Sequence, residues 1–369
     1  MRNPFRSTER SSGTQDNTAI TPSTDSLKSE LEVQEPRTDI DFVFIRHSKE
    51  HINRYKDEII KAVNNKQVIM IELVTPDKAS RMQLQATLND ITHSDLGPDE
   101  LEERIQEQDN FGLLDEILCR ELVNSGVDIL LVDVNEDSSN DFNVLLHNSE
   151  MMRYSFSGYI KNFGAPSKLI ELMLDSLRYE AEEIKYRDKV VIEQLQKTVA
   201  HKYYSGKKIA VIVGAAHTAQ YNALQHTPGV YVDMVYPGSL SPHDHSYVLT
   251  HYDEARANLL KNEPEANTSE LLNKALLEQT IRFLSSFDIG SISTKEFRTM
   301  IDKLSPEEVS AILEQVCELG IYDEQERIQR ADQYLSSIIA NLQWQSSAQP
   351  GKHILAGTTF ANHIEAQVG

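Results

Sequence analysis

Five short runs of apolar and β-branched residues, separated by stretches of helical periodicity, restrict this chain's fold more than any other feature. They are Asp41–Arg46 (DFVFIR), Gln67–Leu73 (QVIMIEL), Val127–Val134 (VDILLVDV), Lys208–Val213 (KIAVIV) and Gly229–Val235. Near-continuous apolar runs of this length read as strands covered on both faces, and intervening helices are the crossovers that parallel strands require. After the first run, Ile52, Tyr55, Ile59, Ile60 and Val63 share one face of a helix that ends at Asn64–Asn65. Residues 77–125 read as helical with a break at Gly97–Pro98, and a long helix is expected from about Ser167 to Tyr204. Residues 148–165 (aromatic, with Gly and Ser) read as irregular. The pattern predicts a three-layer α/β domain with a mainly parallel sheet over residues 39–251.

The flanks differ in kind. Residues 1–38 are rich in Ser, Thr, Asn and acidic residues, lack apolar periodicity, and are expected to form a disordered tail. From 252 to 345 every segment reads as helix, an α-helical extension packed on the sheet or a separate module. Ser305-Pro-Glu-Glu308 has the Ser, Pro and Glu spacing of a helix start. Residues 346–369, rich in Gly, Ser, Gln and Ala, are expected to be loose.

Charge and composition narrow the function. A formal net charge of −21 argues against general nucleic-acid binding and against docking on anionic membranes. No run of about 18 apolar residues is present to span a membrane. No apolar signal segment stands in the first forty residues, so a cytoplasmic location is expected. Cys119 and Cys317 lie far apart in helical patterns and read as small core residues.

In an open parallel sheet, ligands collect outside the carboxyl ends of the strands. His47 follows the first run, Glu72 ends the second, Asp133 ends the third and His217 follows the fourth. Glu72 stands in an otherwise apolar strand, where an unpaired carboxylate costs several kcal/mol, so it requires a cationic, histidine or metal partner. Two histidines and a glutamate suit either a metal or an acid–base site. Gly214-Ala-Ala-His217 permits a tight turn into a helix N-terminus, which favours anions, as for a cofactor phosphate. The glycine fingerprint of dinucleotide binding is incomplete, with Ala216 and Ala219 in its later places. His47-Ser-Lys-Glu-His51 matches the inverted zinc motif, but that chemistry needs both histidines on one helix face, and His47 abuts a strand. Arg187-Asp188 is either a solvated pair or places an arginine over Glu72 or an anionic substrate. His243-Asp-His245, with His251 nearby, follows the fifth strand and is either a chelating pair or a surface loop.

These residues resemble the TraB/Tiki group. FIRHSKEHINRYKDEIIKAVNNKQVIMIEL is similar to its opening strand, Gly-x-x-His motif, helix and glutamate-bearing strand. YRDKVVIEQLQ looks like its Arg-Asp helix, and VIVGAAHTA like its second Gly-x-x-His turn, so the resemblance covers roughly residues 41–235. Phe44 stands where the first motif has glycine. The wider superfamily includes erythromycin esterases and ChaN-like haem-binding proteins. The resemblance implies metal or catalytic roles for His47, Glu72 and His217, with Arg187 as a supporting cation. The expectation is a metal-dependent hydrolase acting on a peptide or ester bond. A divalent ion would sit on His47, Glu72 and His217; Glu72, His217 and Arg187 would be catalytic, and Gly214 would contact a bound group. The alternative is a non-catalytic protein that binds or sequesters a peptide or haem in the same cleft. Oligomeric state is left open.

Overall fold

The computed structural model describes residues 37–47, 49–107, 112–135, 139–237, 250–286 and 294–347. The expected tail before Arg37, the His243-Asp-His245 segment and the stretch after Ser347 lie outside them.

Five strands form one all-parallel sheet: β1 (Thr38–Ile45), β2 (Val68–Glu72), β3 (Asp128–Val132), β4 (Lys208–Gly214) and β5 (Val230–Val235), in the order β3-β2-β4-β1-β5. β1 begins one residue before the expected boundary at 39. The chain after β1 crosses β4 to reach β2, and the chain after β4 crosses β1 to reach β5. Neighbouring β1 and β4 therefore send their connections in opposite directions, which opens a crevice at their carboxyl ends. In register, Ile45 lies beside Gly214.

One face of the sheet is covered by α1 (Lys49–Arg54), α2 (Lys56–Val63), α3 (Lys78–His93), α4 (Pro98–Gln106) and α5 (Leu113–Leu122). Val43, Ile45, Ile69, Ile71, Ala210 and Ile212 point into that layer. Their alternates Phe42, Phe44, Met70, Val211 and Val213 point to the other face, as the period of two in a strand requires. There they meet Val191 and Leu195 of α7 (Pro166–Val199) and Leu224 of α8 (Thr218–Gln225). Both faces of β2 and β4 and most of β1 and β3 are buried, which is why these strands carry so few polar residues, whereas edge strand β5 leaves Tyr231 and Asp233 exposed.

Residues 140–161 correct the sequence expectation of an irregular segment: they form α6 (Asn140–Lys161), started by Ser139, whose side chain accepts a hydrogen bond from the Phe142 amide. Its buried residues are Phe142, Ser149, Phe156 and Ile160, a single helical stripe. A serine inside that stripe, with Gly158 and two further serines nearby, disguised the period.

The C-terminal helices are α9 (His251–Leu260), α10 (Ser269–Leu284), α11 (Thr294–Asp302), α12 (Pro306–Glu318) and α13 (Glu324–Ser347). Ser305 and Glu308 form the expected capping box of α12. This region is not appended at a distance. It shares one core with α6 and the first half of α7, through Phe156, Leu169, Met173 and Leu177. The α7 helix is 34 residues long, about 50 Å, so one helix belongs to both cores. Cys119 is buried in the first layer, and Cys317 is half-buried with its thiol on the Gly164 carbonyl. No helix among the described residues is long and apolar enough to cross a membrane.

Candidate active site

The carboxyl ends of β1, β2 and β4 converge on Glu72, which closes β2 and is fully enclosed. Its Oε2 accepts the Gly214 amide at 2.7 Å, and its Oε1 accepts Arg187 Nη2 at 2.9 Å and His217 Nε2 at 2.8 Å. The partner that burial demanded is thus two cations and a backbone amide. Burial alone would raise the Glu72 pKa, but His217, Arg187 and the Gly214 amide together bring it down to about 2.

His217 is the second hub. It stands immediately before α8, and its Nδ1 lies 2.7 Å from Asp188 Oδ1 while Nε2 faces Glu72. Ionised carboxylates only accept, so each ring nitrogen must carry a proton. Burial works against that charge, yet Glu72 and Asp188 outweigh it and hold the His217 pKa up at about 9. At neutral pH this ring is an imidazolium. Gln220 supports Asp188 from the next turn of α8, donating at 3.0 Å.

Arg187 leaves α7 toward the sheet. Its Nε and Nη2 bind Asp133, with Nη2 2.5 Å from Oδ2, and Nη2 also reaches Glu72. Asp133 has a φ of 147°, a backbone region rarely adopted by side-chain-bearing residues. Its carbonyl is held there by Arg81 at 2.6 Å and Gln194 at 3.0 Å. Arg187 and Asp188 are not a pair with each other: about 100° of helix separates neighbouring residues, so one serves Glu72 and Asp133 and the other serves His217.

His47 is brought to the same place and treated differently. A Cβ built on Gly214 would lie 3.1 Å from His47 Nε2 and 3.2 Å from His217 Cδ2. The two imidazoles therefore flank the bare Cα of Gly214, and a side chain there would require one of the rings to shift by a few tenths of an ångström. His47 is exposed toward the space above the sheet, and unlike His217 it has no carboxylate within ion-pair distance among the described residues. Loss of water around the ring lowers its pKa below the ordinary 6.5; Glu72 opposes this, and Arg187 and His217 add to it. His47 is the neutral histidine of the pair.

Both histidines and Arg187 line a cavity of about 590 Å³ between the sheet edge and the helices. Its far wall is formed by α6, α7, α9 and α10, through residues including Arg153, Glu180, Arg256 and Arg282. Sequence reasoning missed this wall. The available signal was the polar stripe Glu180, Glu183, Arg187 on α7, set between the buried Leu177 and Val191. Phe44 does not line the cavity; it is buried in the layer between the sheet and α7 and α8, stacked on Tyr236 at 5.1 Å. His51 sits in α1 against Tyr55, outside the cavity lining, so the two histidines of the inverted zinc motif do not share a helix face. His251 bridges Glu278 and Asp302 within the helical region, at 2.7 and 2.8 Å.

The donors do not fit a divalent ion in this arrangement. Both ring nitrogens of His217 and both oxygens of Glu72 are engaged within the protein, and the Arg187 guanidinium already supplies the positive charge beside Glu72. Among the described residues no group of three or more His, Cys, Asp and Glu side chains is disposed to hold a metal. Comparisons of the chain with family models, curated proteins and solved structures returned no match.

Proposed function

We propose that this chain is a hydrolase of an ester or peptide bond in which His47 is the general base. The observation that carries the reading is the unequal state of two histidines around one glycine. His217 is locked as a cation between Glu72 and Asp188, whereas His47 is neutral and open to the cavity. A neutral imidazole with a depressed pKa is a competent base at neutral pH. His47 Nε2 would take a proton from water, and the resulting hydroxide would add to the carbonyl carbon. Negative charge would then develop on the carbonyl oxygen, where Arg187, which lines the cavity, would be the fixed charge facing it; both N–H groups of His217 are already committed to Glu72 and Asp188. Collapse would break the bond to the leaving group, which receives the proton from His47. Glu72 would act as the support that fixes both cations, with no oxygen left to activate water. The resemblance of residues 41–235 to the TraB/Tiki group is compatible with hydrolysis but does not choose it over binding; the occupied donors favour a route that uses these side chains without a metal.

The test is hydrolysis of a panel of ester and peptide substrates by wild type and His47→Ala, with and without a chelator. Loss of a general base costs on the order of 10²–10⁴ in rate, and chelation should leave the wild-type rate unchanged. Full activity in a folded His47→Ala variant would end this assignment. Ligand binding by both proteins with no turnover by either would favour the sequestering protein.

A further inference from the structure

The cavity wall runs against the charge of the chain. The protein carries 57 acidic and 36 basic residues, yet the cavity is lined by five arginines (Arg46, Arg153, Arg187, Arg256 and Arg282) against three carboxylates, Glu180, Glu183 and Asp253. Most of these arginines are committed. Arg187 serves Glu72 and Asp133, Arg153 lies 3.0 Å from Glu183, and Arg256 bridges Asp253 and Glu180. Arg46 also contacts Asp253. That carboxylate does not depend on Arg46, because it accepts the Thr250 amide at 3.1 Å, the Thr250 hydroxyl at 2.9 Å and Arg256 at 3.0 Å.

Arg282 is different. It projects from α10 into the cavity lining, is exposed there, and forms no ion pair with a described residue. Desolvation and the neighbouring charge of Arg46 hold it below its ordinary pKa, although Asp253 and Glu278 oppose them, so like charge stands at this end of the cavity with no counter-ion paired to Arg282 among the described residues. An anion between the two guanidinium groups would supply that counter-ion, and the forked donors of arginine match the oxygens of a carboxylate or phosphate.

We propose that Arg282, together with Arg46, forms an anion-binding subsite that holds a carboxylate or phosphate group of the substrate while His47 acts on the scissile bond. The substrate class is then an anionic ester or amide, a statement that rests on the hydrolytic reading of His47. The subsite itself is read without turnover. The full chain is titrated calorimetrically with inorganic phosphate and, separately, with acetate, ionic strength being fixed with sodium chloride. One probe should bind saturably, and which one does so distinguishes phosphate from carboxylate. Arg282→Gln should weaken that binding by about tenfold or more, as loss of one charge-assisted contact implies. Arg178→Gln, at an exposed arginine of α7 outside the cavity, should leave it unchanged. Binding of this pattern without hydrolysis of any substrate would keep the subsite and remove the hydrolase. Failure of both probes to bind wild type, or undiminished binding by Arg282→Gln, would overturn the subsite.

Discussion

A glutamate in an apolar strand requires a partner, and the same physics sets a stability profile. Glu72 has a folded pKa of about 2 against an ordinary 4.5, and His217 about 9 against 6.5. For Glu72 the lowered value means stabilisation that is complete above 4.5 and lost as pH falls through about 2. For His217 the raised value means stabilisation that is complete below 6.5 and lost as pH rises through about 9. The stability advantage of wild type over His217→Gln should therefore shrink between pH 6.5 and 9, measured by thermal unfolding of both proteins. An advantage that is constant over that range would show that the ring is not an imidazolium in the fold. That His47, Glu72 and His217 share one sheet edge was legible, because strand ends are marked by the apolar runs. The identity of the partners was not. Asp188 lies 29 positions from His217 and Arg187 115 from Glu72, and only the path of α7 over the sheet decides that they meet.

At the scale of elements, α7 is what joins chemistry to scaffold. Leu169, Met173 and Leu177 anchor its first half in the helical core, and Val191 and Leu195 anchor its second half on the sheet. The span between the anchors carries Glu180, Glu183, Arg187 and Asp188, held in place from both sides. Replacing Arg187 by methionine would leave Glu72 and Asp133 without their shared cation in a buried setting. Breaking such a pair by removing one partner costs about 3–5 kcal/mol, an effect to be read as a lower denaturation midpoint in urea. A loss below about 1 kcal/mol, the range of a solvated surface pair, would show that the bridge carries little of the structure. The strands and α7 itself were readable from periodicity, since long apolar repeats are robust to a misplaced residue. Helix α6 was not, because Ser149 occupies its buried stripe and interrupts the apolar period on which the reading depended.

For the whole molecule, the consequence is that the sheet and the helices make one site between them. The sheet supplies the histidines, Glu72 and Gly214, while α6, α7, α9 and α10 supply the arginine-bearing wall. The sequence marked the helical residues after 251 as an addition, because their periodicity shows which faces are apolar but not which neighbours those faces meet. A cavity is a property of two surfaces, and periodicity describes one at a time. This assembly holds one histidine as a fixed cation and leaves its neighbour as a free base. Nitrogen-15 NMR of histidine rings in the full chain, assigned with His47→Ala and His217→Gln, measures this difference directly. His217 should show two protonated ring nitrogens at pH 7 and titrate near 9, while His47 should be neutral at pH 7 and titrate below 6.5. A neutral His217 ring at pH 7, or a His47 that remains protonated there, would contradict the account.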